Sequence, residues 1–242
     1  MRVLALDTTT RAGSVAIVDD DRVVFEHVGD PQRSHAERLP GDLLSALETS
    51  RLTLAEIDVL AIAAGPASFT GLRIGIATIQ GLAFVMGKRV VAVSALAALA
   101  EAGSHEAAAG AIVGVWMDAH RHDVFSALYR VANVPAFSVE RLIELDPAAV
   151  GDPAAARRRW DSLGTVPSVL VGDGAVLYGA TLNAGTRIVA PPPIASSVGR
   201  MAVGRARAGQ TVEPAGLQPL YIRRPDVEMT REALATKDTK DV

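Results

Sequence analysis

Two carboxylates stand where chemistry could be done. Asp7 ends the apolar run Val3-Leu4-Ala5-Leu6 and opens the polar turn Thr8-Thr9-Thr10-Arg11-Ala12-Gly13. Asp118 ends the run from Ile112 to Met117 and opens Ala119-His120-Arg121-His122-Asp123. The first turn has the parts of a nucleotide site. Hydroxyls and free amides of Thr8, Thr9, Thr10 and Gly13 can hold phosphate oxygens, and Asp7 can hold a metal-bound water. The same residues also make an ordinary threonine-rich turn in which Asp7 accepts hydrogen bonds, and both accounts stay open. The second turn argues against phosphate binding: it lacks glycine, so close backbone approach is hindered, and its His120 and His122 read as solvated. Gly172-Asp173-Gly174 follows the apolar Val169 to Val171, where an adenosine-binding loop could sit. A lone Gly-x-Gly carries little, and a strand-to-helix turn accounts for it.

Other chemistries find less support. His35 sits at a helix start, but a helical metal site wants a second His four residues on, and that position is Leu39; His35 therefore reads as a surface residue, and no metal is expected. There is no cysteine for a thiolate or a disulfide. Ser68 lies between a strand and a helix without the Gly-x-Ser-x-Gly frame of a hydrolase elbow. Arg157-Arg158-Arg159 and Arg223-Arg224 are small basic clusters, read as a solvated helix face and a strand end.

The elements that would position these residues follow from periodicity and turn signals. Val3 to Leu6, Ser14 to Val18 and Arg22 to Val28 are expected to form an antiparallel meander. Ser34-His35-Ala36-Glu37 has capping-box spacing and starts a helix with Leu39, Leu43 and Leu47 on one side; Pro40 should kink it or mark a late start. Asp58 to Ala64 is a buried strand, Val90 to Val93 another, and Ser94 to Glu101 a helix. After a small, polar linker at Gly103 to Gly110 the pattern restarts. Strands are expected at Ile112 to Met117, Val124 to Tyr129 and Phe137 to Ile143. A helix is expected at Asp152 to Asp161, a strand at Val169 to Val171, and a helix at Ala175 to Leu182. A strand at Arg187 to Ala190, a helix at Ile194 to Ala208 and a short strand at Leu220 to Ile222 complete the pattern. The order strand, strand, strand, helix, strand, helix thus occurs twice. Two such halves around a cleft give the expected fold: α/β, actin-like, with two ribonuclease-H-like halves at 1–103 and 111–225 and a disordered polar tail at 228–242.

Gly65 to Gly87 is a turn and one long helix, capped by Ser68 or Thr70. Leu72, Ile76, Ile79 and Ala83 share one face; Gly71, Gly75, Thr78 and Leu82 share another; Arg73 and Gln80 form a narrow polar stripe. A helix with two apolar faces needs two things to pack against, its own sheet and a second helix or chain. Its 14 residues without a charge, 74–87, include three glycines and suit a core helix better than a membrane span. Net charge is −3 over 242 residues, which argues against a surface that grips nucleic acid all over and leaves room for a local basic patch. Met1-Arg2 and a short apolar run ending at Asp7 make no signal peptide. A cytoplasmic, membrane-free protein is expected.

Beyond these patterns, Met1 to Thr10, Ser34-His35-Ala36-Glu37-Arg38-Leu39-Pro40 and above all Gly65-Pro66-Ala67-Ser68-Phe69-Thr70-Gly71-Leu72-Arg73-Ile74-Gly75 resemble the TsaB (YeaZ) family. The resemblance continues at Val93 to Leu96, Met117-Asp118-Ala119 and Pro219 to Arg223, and is looser over 130–190. It implies an actin-like bacterial protein of the machinery that makes threonylcarbamoyladenosine in tRNA. It further implies a non-catalytic dimerisation subunit for TsaD, the transferase, joined by the ATPase TsaE. On this view tRNA is met only through the complex, and no cofactor is held beyond residual nucleotide binding at Asp7, Thr8, Thr9 and Gly13. TsaD carries a helical His-x-x-x-His metal motif where this chain has His35 and Leu39, which favours the non-catalytic member. The family usually has Gly at the place of Ala67. In the family two helices of the first half join two of the partner in a four-helix bundle. The expected contact residues are Leu39, Leu43, Leu47, Gly71, Ile74, Gly75, Thr78 and Leu82, so that Gly75→Arg should remove docking and leave the fold. The same exposed face also allows a homodimer. The alternative is an autonomous actin-like ATPase or small-molecule kinase using Asp7; a self-sufficient tRNA-binding module fits the acidic charge poorly.

Overall fold

Five apolar stretches of the first half pair into one sheet. In chain order the elements are β1 (Arg2–Asp7), β2 (Ser14–Asp19), β3 (Arg22–Val28), α1 (His35–Ser50), β4 (Val59–Ala63), α2 (Phe69–Met86), β5 (Arg89–Val93) and α3 (Ala95–Gly103). The second half has β6 (Ile112–Asp118), β7 (Val124–Val131), β8 (Leu142–Gly151), α4 (Pro153–Ser162), β9 (Val169–Val171), α5 (Asp173–Tyr178), β10 (Arg187–Val189) and α6 (Ala195–Arg207). The computed structural model describes residues 1–181 and 185–222. The tail expected to be disordered, Arg223-Arg224 and the end of the helix drawn to Leu182 lie outside them.

The first sheet runs β3-β2-β1-β4-β5 and the second β8-β7-β6-β9-β10, the same order twice. In each, the first strand pairs antiparallel with the second and parallel with the fourth. This is the duplicated α/β, actin-like arrangement of ribonuclease-H-like units expected from the order of elements. The central strands β1 and β4 are buried along almost their whole length, as continuous apolar runs require.

The halves are laced together by an exchange of helices. The α3 helix leaves the first sheet and packs on β6 and β9, whereas α6 leaves the second sheet and packs on β1, β2 and β4. One apolar core therefore runs through both halves, from Val3, Ala5 and Val91 through Leu96 and Leu99 to Val113, Val115 and Val198. Small residues on both helices suit this close approach. A buried charge cluster also closes the junction. Glu101 of α3 accepts the Phe137 N–H at 2.7 Å and pairs with Arg141 at 3.3 Å. Burial pushes the Glu101 carboxyl above its usual range, and the Phe137 N–H and the Arg141 charge pull it back.

Several boundaries differ from expectation for physical reasons. The third strand of the second half is not Phe137 to Ile143 but β8, five residues later in its start. Phe137 is left-handed (φ 63°) and held by Glu101, so it belongs to the loop. Pro147 is tolerated inside β8 because β8 is an edge strand. The helix expected from Ala175 is the short α5 followed by a 3-10 turn at 179–181. Leu220 donates its N–H to Ala64 at 2.7 Å without building a strand. The α1 helix does not start late: it begins at His35, with the full capping box of Ser34 and Glu37, and carries the exposed Pro40 inside it.

Candidate functional site: the cleft and the outer face of α2

The turns singled out in the sequence do meet. Thr8, Thr9 and Thr10 from the first half and Asp118, His120 and Asp173 from the second line one cleft of about 670 Å³, with Ser34, His35, Ser68 and Phe69 on its rim. The duplicated topology dictates this, since β1 and β6 present equivalent ends to the space between the halves.

Behind the cleft wall, Asp7 is hydrogen-bonded within its own turn. It is buried, and its Oδ1 accepts the Thr9 N–H at 2.7 Å and the Thr9 hydroxyl at 2.6 Å, while Oδ2 accepts the Thr10 hydroxyl at 2.6 Å. The Thr10 oxygen in turn accepts the Gly13 N–H at 3.1 Å. Both carboxylate oxygens are thus spent on closing the turn. The second turn closes likewise: Asp118 accepts the His120 N–H at 2.9 Å, and Asp173 accepts the N–H groups of Asp118 at 2.8 Å and Gly174 at 2.9 Å. His120, Arg121 and His122 are all left-handed. This turn thus takes a left-handed backbone without any glycine.

His35 is not a plain surface residue. It is half-buried, and its Nδ1 lies 2.7 Å from Nη2 of Arg38. Burial, and then the Arg38 charge, hold the imidazole below its usual value. Arg38 is 4% exposed, pairs with Asp42 and bonds the Ala12 carbonyl, so it ties α1 to the first turn. The residue types missed it, although Arg38 and Asp42 at i, i+4 beside a leucine row are a recognisable pair. Arg159, expected on a solvated face, instead joins Ser126 at 2.8 Å and Asp146 at 3.0 Å.

The α2 helix has four differently occupied sides. Ser68 caps it by accepting the Gly71 N–H at 3.2 Å, and Gly87 ends it in the left-handed conformation, as its chemistry demands. Leu72, Ile76, Ile79 and Ala83 are buried on the sheet. Gln80 donates to the carbonyls of Pro214 at 3.0 Å and Leu217 at 3.3 Å, which holds the chain end against the helix. The glycine side does not face outward: a Cβ on Gly75 would overlap the Thr8 hydroxyl, and one on Gly71 would stand 2.6 Å from the Thr8 carbonyl. Gly71 and Gly75 are therefore seats for the first turn, and Gly75→Arg cannot be a silent surface change. Leu39, Leu43 and Leu47 are likewise core residues, packed with Ile57, Leu60 and Ile79. Ile74, Thr78 and Leu82 are only partly exposed.

What faces outward is a row the sequence reasoning passed over. Arg73, Ala77, Gly81, Phe84 and Val85 are exposed, with Phe84 at 80% and Val85 at 79%, and Leu44 of α1 is 60% exposed. Space around Gly81 is open. The signal was there: Phe84-Val85 follows Ala77 and Gly81 at helical spacing, opposite Leu72, Ile76 and Ile79. At the start of the helix Arg73 lies over the Phe69 ring at 3.7 Å, and Phe69 packs on Tyr221 at 5.4 Å. By length and composition α2 could cross a membrane, yet one side of it is an integral part of the core.

Fold and cleft together define an actin-like protein in which Asp7 and Asp118 each accept hydrogen bonds from their own turns. The family of tRNA N6-adenosine threonylcarbamoyltransferases, TsaD, matches residues 29–148. The Escherichia coli tRNA threonylcarbamoyladenosine biosynthesis protein TsaB is 29% identical over 92% of this chain and 95% of its own. An uncharacterised protein of Mycobacterium tuberculosis is 31% identical over 93% of each. The structure of YeaZ from Pseudomonas aeruginosa superposes with a TM-score of 0.76 at 28% identity, covering 91% of this chain and 99% of that one. The chain belongs to the TsaB (YeaZ) family. Where family members usually have glycine, Ala67 is not left-handed here, so the position imposes no need for one.

Proposed function

We propose that this chain serves tRNA threonylcarbamoyladenosine biosynthesis, in the cytoplasm, as a scaffold subunit without chemistry of its own. It docks the transferase subunit TsaD through the outer face of α2 and the neighbouring Leu44 of α1. The observation that carries this is the bare apolar row Ala77, Gly81, Phe84 and Val85 on a helix whose other sides are all engaged. Two large side chains exposed side by side on a rigid helix suit a helix-to-helix contact, and small residues at 77 and 81 let a partner helix approach. An interface of this kind buries on the order of 1,200–2,000 Å² in total. TsaE and tRNA then meet the assembled pair, and the same face accounts for self-association when TsaD is absent.

The test is co-purification with the host's TsaD. Gly81→Arg places a charge on the open side of α2 and should abolish the complex while leaving the circular dichroism unchanged and the thermal midpoint no lower than the parent's. A folded Gly81→Arg protein that still co-purifies in normal yield refutes the assignment of the face. The competing reading, an autonomous ATPase or kinase, is favoured by the size of the cleft and its threonine turn. Calorimetry with magnesium-ATP separates the two: tight binding that is lost in Asp7→Ala supports the enzyme, and no measurable binding supports the scaffold.

A further inference from the structure

A second cavity, of about 460 Å³, opens where α3 and α6 meet β7 and β8. It shares no lining residue with the cleft or with the outward row of α2. Its polar groups are ordered by the fold. Tyr129 and Glu144 are register partners on β7 and β8, so their side chains stand side by side on one face of the sheet. Tyr129 is 4% exposed and lines the cavity together with Ser94. Burial, and then the Glu144 charge, raise its phenol above the usual value, which keeps it a neutral donor. Arg205, in the last turn of α6, is half-buried and donates one N–H to the Ala92 carbonyl at 2.7 Å. It has no carboxylate partner among the described residues, and burial lowers its affinity for the proton. Glu144 stands exposed at the same cavity without forming an ion pair to it. Apolar wall is supplied by Ala97, Leu142, Met201 and Leu220.

A half-buried guanidinium without a carboxylate gains from an anionic partner, and its planar fork matches a carboxylate. We infer that this cavity binds an α-amino acid with an apolar side chain. The ligand's carboxylate meets Arg205 and the Tyr129 hydroxyl, its ammonium meets Glu144, and its side chain lies along Met201 and Leu142. The site holds such a molecule without reacting with it.

Calorimetry on the full chain, with L-leucine, leucinamide and 4-methylpentanoate as probes, tests this. L-leucine should bind at one site. Leucinamide, which lacks the carboxylate, and 4-methylpentanoate, which lacks the amine, should each bind at least about ten-fold more weakly, the loss expected of one charged hydrogen bond. Arg205→Gln should weaken L-leucine by at least about ten-fold. Glu144→Gln, at an exposed position where folding is not at risk, should weaken L-leucine by a similar factor and leave 4-methylpentanoate unchanged. Absence of L-leucine binding overturns the inference, and so does binding that Glu144→Gln leaves intact. Complex formation with TsaD is read separately, so failure here does not touch the docking role.

Discussion

Phe84→Ala measures the docking face directly. Phe84 is 80% exposed in the chain alone, and a phenylalanine buries about 150–250 Å² when fully covered. Covering the exposed part removes roughly 160 Å² from water, worth up to about 4 kcal/mol at 25 cal/mol per Å². Ordering and imperfect fit reduce the return at interfaces, and a central aromatic anchor typically costs about 2 kcal/mol or more when truncated. The expected loss is therefore about 2–4 kcal/mol, a roughly 30- to 700-fold weaker complex with TsaD. Because the ring touches little within its own chain, folding stability should change by no more than about 0.5 kcal/mol. Calorimetric titration of the variant with TsaD, beside urea denaturation of the variant alone, reads both quantities. An affinity within a factor of about two of the parent, with folding unchanged, would falsify the placement of the partner on this face. A loss of affinity matched by an equal loss of stability would refute the reasoning in another way, by making Phe84 a structural residue.

Further outcomes follow from the same geometry. Gly75→Ala should destabilise the fold by about 1–3 kcal/mol by overpacking against Thr8, whereas Gly81→Ala, in open space, should stabilise it by up to about 1 kcal/mol; a reversed order in thermal melts refutes the orientation of α2. Asp7→Asn replaces an acceptor of three hydrogen bonds by a group with only one accepting atom, and should cost about 1–3 kcal/mol in urea denaturation. His35 has its folded pKa held below the usual 6.5. Above that value both folded and unfolded chains keep it neutral and nothing is lost. As pH falls below 6.5 the unfolded chain takes the proton first, and stability declines until folded His35 is protonated as well. Denaturation midpoints between about pH 7.5 and 5 should therefore fall less steeply in His35→Gln than in the parent, and parallel slopes would count against the buried, neutral imidazole.

Much of the architecture was open to inspection in the chain itself. The apolar runs ending at Asp7 and Asp118 became β1 and β6, the capping box at Ser34 and Glu37 became the start of α1, and Ser68 and Gly87 bracket α2. These signals are local: each depends on residues within a turn or a strand of one another. The misplacement of β8 is the instructive miss. Phe137 to Ile143 alternates well enough for a strand, but Glu101, 36 residues earlier, binds the Phe137 N–H and keeps that segment a loop. The contact leucines failed for a similar reason. Leu39, Leu43 and Leu47 mark an apolar side of α1 correctly, yet nothing along the chain tells whether that side meets its own sheet or a partner.

By itself the sequence determined the order of the elements, their duplication, the two carboxylate-ended first strands and the apolar character of α2, because periodicity and capping act over a few residues. Only the tertiary structure decided which way α2 is turned. Gly71 and Gly75 lie inward because Thr8 occupies the space a side chain would need, and Phe84 and Val85 are left outward in consequence. The same assembly decided that Asp7 spends both oxygens on its own turn, and that α3 and α6 each cover the sheet of the opposite half. Those outcomes depend on which distant surfaces meet, and burial and steric fit between them are settled only when the whole chain has packed.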